Sequence, residues 1–422
     1  MPEGWTWCRL PEICVIPITD GTHQTPTYSD KENGVPFLSS KDVTSGKIDW
    51  SKIKYITKEL HQELQKRIAS KKDDILLAKN GTTGVAAIVE DETIFDIYVT
   101  LAVIRPNQKI VYPKFLLNII NSPFCKNQFN EHLTGIGVPN LHLVDINKTF
   151  VPLPPLNEQR QITDKIGSYT VHIDELEKNK SDLQNAIKQA KSKILDLAIH
   201  GKLVPQDPND EPAEELLKRI ATSDNRPYEK VDGKYFPFEL PKSWIWCKLC
   251  ECSTVISKGT TPRGGKSAYK SDGVNYLRIE NLNDDGTINH TNISHISIEE
   301  HETNLKRSKL EEGDLLISIA GTLGKVGFVT ESDLPMNTNQ AIAFVRLQKN
   351  VFDNLFLKYT IESPFIKSRL LSKTKVTSIP NLTLEMLSDC LIPLPPLSEQ
   401  HRIVLKIEEL FLKLNNIQDN LV

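Results

Sequence analysis

Two long segments of the chain repeat apolar residues every three and a half positions. In the first segment one seam follows Ile166, Ile173, Lys180, Ile187 and Ile194, and the other follows Ile162, Tyr169, Leu176, Leu183, Ala190 and Leu197. In the second segment the seams follow Ile407, Leu414 and Leu421, and Ile403, Leu410 and Ile417. This period predicts helices that pair as a coiled coil. The first helix would be roughly 65 Å long at 1.5 Å per residue, too long to pack only on its own domain.

Each predicted helix follows the same short phrase. Residues 151–162 read "VPLPPLNEQRQI" and residues 392–403 read "IPLPPLSEQHRI", 241 positions apart. The paired prolines cannot lie inside a helix, because proline lacks the amide hydrogen and clashes with the preceding turn. We therefore expect Asn157 and Ser398 to be the N-caps, with the glutamate that follows each in the first helical turn.

The repeat covers nearly the whole chain. At almost the same offset "WTWCRL" matches "WIWCKL", "DDILLAKNGTTG" matches "GDLLISIAGTLG", "NSPF" matches "ESPF", and "GVPN" matches "SIPN". Two copies of one domain with small loop adjustments explain such a long period. The first long helix should end near residues 200–210, followed by a short helix at 211–220 and a polar linker to Pro237. The predicted order is globule, long helix, globule, long helix.

Within each copy the pattern predicts mostly short strands and a few helices. Residues 73–84 read as a strand and a turn bounded by Gly81 and Gly84, and residues 313–329 as a strand, the same turn and a second strand. Glycine adopts backbone conformations there that other residues resist. The fold class predicted is therefore α+β, with two repeated mixed α/β domains separated by long helices.

Polar loops fall at matching points of the two copies and supply the candidate contact residues. In the first copy these are Thr22, His23, Gln24, Lys79, Asn80, Thr82, Thr83 and Asn140. In the second copy they are Lys258, Thr260, Arg263, Lys266, Thr322, Lys325, Lys373, Lys375 and Asn381. Hydroxyls, amides and lysines on rigid turns suit contacts to phosphates and base edges. Ordinary hairpin tips with a solvated charged face are the alternative.

Within that set the chemistry differs from residue to residue. Lysine supplies charge without bidentate geometry, so we expect the lysines to contact phosphate. Arg263 and Asn80 are the better candidates for base edges, since arginine can fork onto guanine and asparagine onto adenine.

Composition excludes several classes of protein. The chain has 422 residues, a net charge of −3, and apolar and charged fractions of 39% and 25%, as in ordinary soluble proteins. No apolar run approaches the roughly 20 residues that span a bilayer, so we expect a cytoplasmic protein. Seven cysteines fit reduced thiols rather than a disulfide framework. Cys247, Cys250 and Cys252 resemble half of a zinc site, but no second pair lies at zinc spacing, and no metal is predicted.

Catalytic motifs are missing from the sequence. The segment "GTTPRGGKS" at 259–267 has one residue too many for a phosphate-binding loop. No GxGxxG follows a strand, and "LPPL" lacks both ends of the Asn/Asp-Pro-Pro-aromatic motif of adenine methyltransferases. The sequence therefore favours a binding protein without a cofactor over an enzyme.

The chain resembles the specificity (S) subunit of type I restriction–modification systems. The resemblance rests on the duplicated Pro-Pro phrases, on "AIHGKLVPQDPNDEPAEELLKRI", and on the duplicated tryptophan and glycine-turn elements. It implies target recognition domains at 1–151 and 236–392, a central helix and linker at 152–235, and a C-terminal helix at 393–422. It also implies that the helices form an antiparallel coiled coil.

The function that the resemblance implies is sequence-specific and non-catalytic. Each recognition domain would bind half of a split DNA target, while adenine methyltransferase subunits, two of them, and restriction motor–nuclease subunits dock on the frame. A coiled-coil scaffold whose globules bind proteins is the main alternative, and a self-sufficient methyltransferase or nuclease is a weaker one.

The sequence departs from the family pattern at its second helix. That helix reaches Val422, before the positions equivalent to His200 and Gly201. We therefore expect Ile187 and Ile194 of the first helix to be left uncovered by the chain itself, for a methyltransferase subunit or a second S chain to cover. The segment before Trp5 also lacks a counterpart to "YFPFELPKS" at 235–243.

Overall fold

A computed structural model describes residues 2–43, 46–131, 133, 139–223, 236–372 and 381–421. The chain divides into two compact units, Met1–Glu177 and Lys178–Val422, which we call unit 1 and unit 2. The boundary falls inside the first long helix, so each unit contains part of it.

In its described residues, unit 1 contains ten short strands, four α-helices and the beginning of a fifth. The strands are β1 (Thr6–Arg9), β2 (Thr19–Asp20), β3 (Tyr28–Ser29), β4 (Val35–Leu38), β5 (Lys54–Ile56), β6 (Ile75–Ala78), β7 (Ala86–Ile88), β8 (Asp96–Ile97), β9 (Leu101–Ile104) and β10 (Phe150–Leu153). The helices are α1 (Lys58–Arg67), α2 (Pro113–Asn121), α3 (Pro123–Glu131), α4 (Leu143–Ile146) and α5 (Leu156–Ile199). The strands form sheets in the orders β2-β9-β6-β7, β3-β5-β4-β8 and β1-β10.

The first of these sheets is the middle layer of unit 1. Because successive side chains of a strand point to opposite faces, β6 supplies two cores at once. Ile75 and Leu77 pack with the apolar faces of α2 and α3. Leu76 and Ala78 pack on the other side with residues of β4 and β8. The sheet is therefore buried on both faces, and only its edges and ends reach the surface.

Unit 2 repeats this arrangement. Its strands are β11 (Ile245–Lys248), β12 (Ser253–Lys258), β13 (Val274–Leu277), β14 (Ser294–Ile296), β15 (Leu315–Ser318), β16 (Val326–Phe328), β17 (Met336–Thr338), β18 (Ile342–Leu347) and β19 (Leu391–Leu394). Its helices are α6 (Ala213–Ser223), α7 (Ile298–Glu302), α8 (Asn354–Glu362), α9 (Pro364–Ser372), α10 (Leu384–Ser388) and α11 (Leu397–Asp419). The sheet orders are β12-β18-β15-β16, β14-β13-β17 and β11-β19.

Strand registers confirm that the units are copies of one fold. Leu76 of β6 pairs with Val103 of β9, and at the same place in unit 2 Leu316 pairs with Phe344. A buried ion pair also recurs, because Arg105 donates to both carboxylate oxygens of Asp74 at 2.8 Å, and Arg346 does the same to Asp314. The sequence repeat is thus a repeat of structure.

The duplicated phrase forms a joint where each unit meets a long helix. Strand β10 pairs antiparallel with β1, and β19 with β11, so the first and last strands of each unit are neighbours. The glutamine of the phrase then fixes the helix start. Gln159 accepts from the Tyr112 N–H at 2.7 Å and donates to the carbonyls of Ile110 at 3.0 Å and Pro154 at 2.8 Å.

Gln400 makes the same three bonds in unit 2. It accepts from the Asp353 N–H at 2.8 Å and donates to the carbonyls of Val351 and Pro395, both at 3.0 Å. The preceding glutamate holds the opening tryptophan of the unit, since the Trp244 indole N–H donates to Glu399 at 2.9 Å. Unit 1 has the matching bond from Trp5 to Glu158 at 3.1 Å. The phrase recurs because both joints need the same bonds.

The predicted N-caps lie inside the helices. Helix α5 begins at Leu156 and α11 at Leu397, so Asn157 and Ser398 belong to the first turn, and the N-cap of α11 is Pro396. Proline is compatible with this boundary because its φ is fixed and because a residue at the start of a helix does not need to donate an amide hydrogen to the helix. The acidic first-turn positions are confirmed.

Within unit 2 the end of α5 packs antiparallel against α11. Leu195, Ala198 and Ile199 share a core with Ile403, Val404 and Ile407. One turn earlier in α5 and about two turns later in α11, the Lys191 ammonium donates to Asn415 at 2.6 Å. The predicted pairing of the two helices is therefore confirmed.

The expectation about the uncovered part of α5 is wrong. Ile187 is only 4% exposed, and Ile194 packs against the core of unit 2. The exposed seam positions lie earlier in the helix, at Ile166, Tyr169, Ile173, Leu176 and Leu183. Antiparallel pairing explains this, because the start of α11 lies beside the end of α5.

The segment after α5 is helical where it was predicted to be. Helix α5 ends at Ile199, followed by Gly201 at φ +65°, and α6 forms over Ala213–Ser223. Most of the predicted linker lies outside the described residues. No helix in the described part of the chain is long and apolar enough to cross a membrane.

Candidate nucleic-acid interface

Three candidate loops of unit 1 meet at one end of the sheet β2-β9-β6-β7. The N–H of Gly21 donates to the carbonyl of Leu101 at 3.3 Å, and the N–H of Lys79 to that of Thr100 at 2.8 Å. Asn80 forms a bridge with Asn140. We call this end, made of residues 20–24, 79–84, 97–101 and 139–141, the tip of unit 1. Loops that are far apart in sequence thus present one polar surface.

The same end of the sheet in unit 2 gathers the second set of loops. The N–H of Gly259 donates to the Ile342 carbonyl at 3.1 Å, the N–H of Ile319 to that of Ala341 at 2.8 Å, and the N–H of Leu382 to that of Ile319 at 2.9 Å. We call residues 258–263, 319–325, 338–342 and 381–382 the tip of unit 2. Each unit therefore has one tip with the same main-chain frame.

The predicted glycine turn is confirmed in both tips. Gly81 and Gly84 have φ of 75° and 79°, and Gly321 and Gly324 both have φ of 73°, a region that favours glycine. The N–H of Gly84 closes the turn on the Ala78 carbonyl at 2.9 Å. In unit 2 the Ser318 hydroxyl also donates to the Thr322 carbonyl and accepts from the Lys325 N–H. The exposed residues of the turn are held on a fixed support.

Lys79, which was expected to contact phosphate, is buried. Its ammonium lies 2.5 Å from Asp20 Oδ2, and its side chain is only 7% exposed. Burial favours the neutral form of Asp20, but the hydrogen bond and charge of Lys79, with those of His23, hold the pKa of Asp20 below its ordinary value. A lysine that neutralises a buried carboxylate is not available to a phosphate, which corrects the expectation for this residue.

Lys325 reaches the surface of the unit 2 tip. Its ammonium lies 2.7 Å from the exposed carboxylate of Asp284 and donates to the Leu282 carbonyl at 3.1 Å. Exposed ion pairs are weak and exchange readily with other partners. Arg263 is exposed, and its backbone N–H donates to Glu300 at 3.2 Å. Both side chains can therefore meet an anionic ligand.

The remaining candidates differ in exposure. Exposed are His23, Gln24, Thr82, Thr322, Lys258 and Asn381, and partly exposed are Asn80, Thr83, Asn140 and Thr260. Thr22 is buried, and its hydroxyl accepts from the Gln24 N–H at 3.2 Å. Lys266 lies in a short helix, Gly265–Ala268, and its side chain is outside the description. Lys373 and Lys375 fall outside the described residues.

One residue at the tip of unit 1 was not predicted. Arg67, the last residue of α1, donates to Asp20 Oδ1 at 3.0 Å and to the Gly21 carbonyl at 3.3 Å. A basic residue at the C-terminal end of a helix is common because it interacts favourably with the helix dipole. Arg67 taken alone therefore gave no functional signal in the sequence. A signal was nevertheless present, because "HQELQKR" at 61–67 and "HETNLKR" at 301–307 repeat at the common offset.

The acidic residues, histidines and cysteines of the described residues do not gather into a metal site. The described residues include no group of three or more His, Cys, Asp or Glu side chains that could hold a metal ion. Cys247 and Cys252 are buried, with their sulfur atoms 3.4 Å apart, and belong to the core of unit 2. The hydrogen bond between the Cys252 and Cys247 thiols, together with burial, raises the pKa of Cys247, so its thiol stays protonated.

Comparison with known proteins points to one family. The sequence profile of the type I restriction modification DNA specificity domain matches residues 2–186 and 241–421. The chain is 27% identical to the EcoAI specificity subunit of Escherichia coli, over 99% of this chain and 79% of that protein. It is 22% identical to the EcoBI specificity subunit of the same organism, over 98% and 81%.

Two solved structures share the fold. The HsdS subunit from Thermoanaerobacter tengcongensis matches all of this chain and 92% of its own, at 21% identity and a TM-score of 0.58. A chain from work on complex assembly and conformational transition of the type I R-M system matches all of this chain and 93% of its own, at 22% identity and a TM-score of 0.64. In both, the similarity extends over the two repeats and the long helices.

Proposed function

Since the chain belongs to the type I restriction modification DNA specificity family, we propose that it reads a split duplex DNA target, with the tip of each unit bound to one half. The observation that carries the proposal is the contrast between the two tips. They share a main-chain frame but differ in chemistry at equivalent positions. Two domains that recognise different DNA sequences in the same way need a shared main-chain frame and different side chains on it.

Strand register defines the contrast residue by residue. Asp20 pairs with Ala102 and Lys258 with Ala343, so a buried carboxylate in one tip corresponds to an exposed ammonium in the other. The same frame places Ile319 where unit 1 has Lys79. In unit 1 Asp20 and Lys79 pair with each other. In unit 2, by contrast, Lys258 is exposed and Ile319 has no polar side chain. The two tips therefore offer different groups to a base edge.

The chain acts without catalysis of its own in this proposal. Adenine methyltransferase subunits, two for the two repeats, and restriction motor–nuclease subunits supply the chemistry in the cytoplasm. The exposed seam of α5 over residues 166–183 supports docking of an apolar partner, since contiguous exposed apolar surface marks interaction sites.

The decisive experiment exchanges one unit. Residues 236–392 are replaced by the equivalent segment of another specificity subunit, and the methylome of a host that carries the complex is sequenced. One half of a split, adenine-methylated motif should change while the other half stays the same. The matched control exchanges residues 1–151 and should change the opposite half. A change in both halves, or in neither, would refute the assignment of one half-site to each unit.

Two further measurements separate the proposal from other functions. Binding of the assembled complex to duplex DNA should weaken steeply with salt, because bound cations release counterions. A protein scaffold would show no such dependence. The isolated chain should not bind adenosylmethionine, whereas a self-sufficient methyltransferase would.

A further inference from the structure

Arg67 is held in place by a chain of charges at the tip of unit 1. The buried Asp20 uses one carboxylate oxygen for the Lys79 ammonium and the other for the Arg67 guanidinium. His23 reaches that second oxygen at 3.3 Å. The Arg67 side chain is nevertheless 47% exposed. With two of its five N–H donors directed to Asp20 and Gly21, the guanidinium keeps donors for an external acceptor.

The equivalent arginine of unit 2 stands without this support. Arg307 follows His301 by six residues, as Arg67 follows His61, and it is exposed. Lys258 occupies the position of Asp20, and in the described part of unit 2 no carboxylate pairs with Arg307. Both repeats therefore have an arginine at this sequence position, in unit 1 at the end of α1 and in unit 2 in the short turn Lys306–Ser308 beyond α7, although only one has the carboxylate. The ion pair with Asp20 does not explain the arginine in both units.

The Arg67–Asp20 ion pair adds little to the stability of unit 1, since the Arg67 side chain is 47% exposed. Half-exposed ion pairs contribute little to folding, because solvent screens them and two side chains lose freedom. A restrained guanidinium is nevertheless favourable for binding a ligand. It loses less side-chain entropy when a ligand binds, and its fork is already oriented for two parallel hydrogen bonds.

We propose that Arg67 reads a guanine in the half-site bound by unit 1, with Asp20 and Lys79 as positioning residues, whereas Arg307 contacts phosphate in unit 2. The proposal rests on the proposed function and identifies the residue through which one tip recognises a base. The fork of arginine matches the O6 and N7 acceptors of guanine in the major groove. An unrestrained arginine suits phosphate, which accepts from many directions.

The test measures methylation by the assembled complex on a library in which each position of both half-sites is varied. Arg67→Ala should relax the preference at one position of one half-site by about 5- to 150-fold and leave the other positions unchanged. Arg67→Lys should lose the same preference but keep the salt dependence of binding, because it retains the charge without the fork. Asp20→Asn should relax the same position to a smaller degree.

Two controls show whether the effect belongs to Arg67. Arg307→Ala should weaken binding to all sequences alike and lower the salt slope by about one, with no change of preference. Lys66→Ala removes the neighbouring exposed charge on α1 and should change no preference either. Thermal unfolding of each variant separates lost recognition from lost folding, and Arg67→Lys gives the result if Arg67→Ala is unstable.

Three outcomes would overturn the inference. They are an unchanged preference at every position in Arg67→Ala, full retention of the preference in Arg67→Lys, and a preference change in Arg307→Ala of the same kind. In each case the wild-type complex would still methylate a split target, so the proposed function would stand. A wild-type complex without a split target would instead refute the proposed function.

Discussion

Gln400 gives the sharpest test of the joint between unit 2 and α11. The substitution is Gln400→Met, which keeps the length and most of the volume of the side chain but removes its amide. Three main-chain groups then lose their partner, namely the buried carbonyls of Val351 and Pro395 and the partly buried N–H of Asp353. Each bond is between 2.8 and 3.0 Å long, and the side chain is fully buried.

The magnitude follows from the cost of unsatisfied groups. A buried polar group left without a partner costs about 1–3 kcal/mol. Carbonyls tolerate this better than amides, so the three groups together should lower the stability of unit 2 by about 3–5 kcal/mol. That is a large share of the roughly 5–15 kcal/mol that stabilises a domain.

Hydrogen exchange measured by mass spectrometry suits a chain with two units, because it reports each unit separately. The slowest amides of β15 and β18 should exchange faster in Gln400→Met, while those of β6 and β9 should not change. Gln159→Met should produce the reverse pattern, since it removes the same three bonds from unit 1.

Gln128→Met provides the matched control. Gln128 also makes two bonds to the main chain, with the N–H and carbonyl of Phe150 at 2.9 and 3.0 Å, but both are exposed to water. Water replaces the amide there, so the cost should stay within about 0.5 kcal/mol. If Gln400→Met costs no more than Gln128→Met, the joint does not depend on the glutamine.

Three further predictions concern the helices, the buried network and the unit 2 tip. Ile407→Asp, at a position with no exposure, should destabilise unit 2 by about 4 kcal/mol or more in urea unfolding. Ile173→Asp, at a position that is 54% exposed, should leave unfolding unchanged and impair only assembly with partners. Because the pKa of Asp20 is lowered, its contribution to unit 1 is present above about pH 4 and lost as the pH falls towards the folded pKa. Asp20→Asn should flatten that acid limb of a pH titration of stability, and an unchanged limb would contradict the network. Lys325→Ala should weaken the complex on target and scrambled duplexes alike and lower the salt slope by about one, whereas an unchanged slope would exclude a phosphate contact.

The sequence predicted the features that depend on local pattern and on repetition. A regular spacing of apolar residues or glycines predicts several features. They are both glycine turns, the strands around them, the two copies and the pairing of the long helices. The strand β6 and its turn were placed correctly for this reason. The N-cap of α11 is Pro396, two residues before the expected Ser398, because the helix begins directly after the second of the paired prolines.

Features that depend on distant partners were not predictable. Lys79 stands beside a glycine turn, and only the fold reveals that Asp20, 59 residues earlier, draws it into the interior. Arg67 reaches the same carboxylate from the end of a helix. The expectation for Ile187 failed for another reason, because it compared the two helices at the offset of the repeat, whereas in an antiparallel pair the start of α11 lies beside the end of α5.

The clasp between the first and last strands has a consequence for how such genes diversify. Because β1 pairs with β10 and β11 with β19, the first and last strands of each unit lie side by side. One unit can therefore be exchanged for another at a single place in the fold. The bonds at that place come from a glutamate, a glutamine and a tryptophan that both copies share. Recombination within the duplicated phrase therefore joins either helix to either unit with every bond of the joint intact. Under the proposed function, one crossover would therefore give a new recognition specificity without any change to the supporting frame.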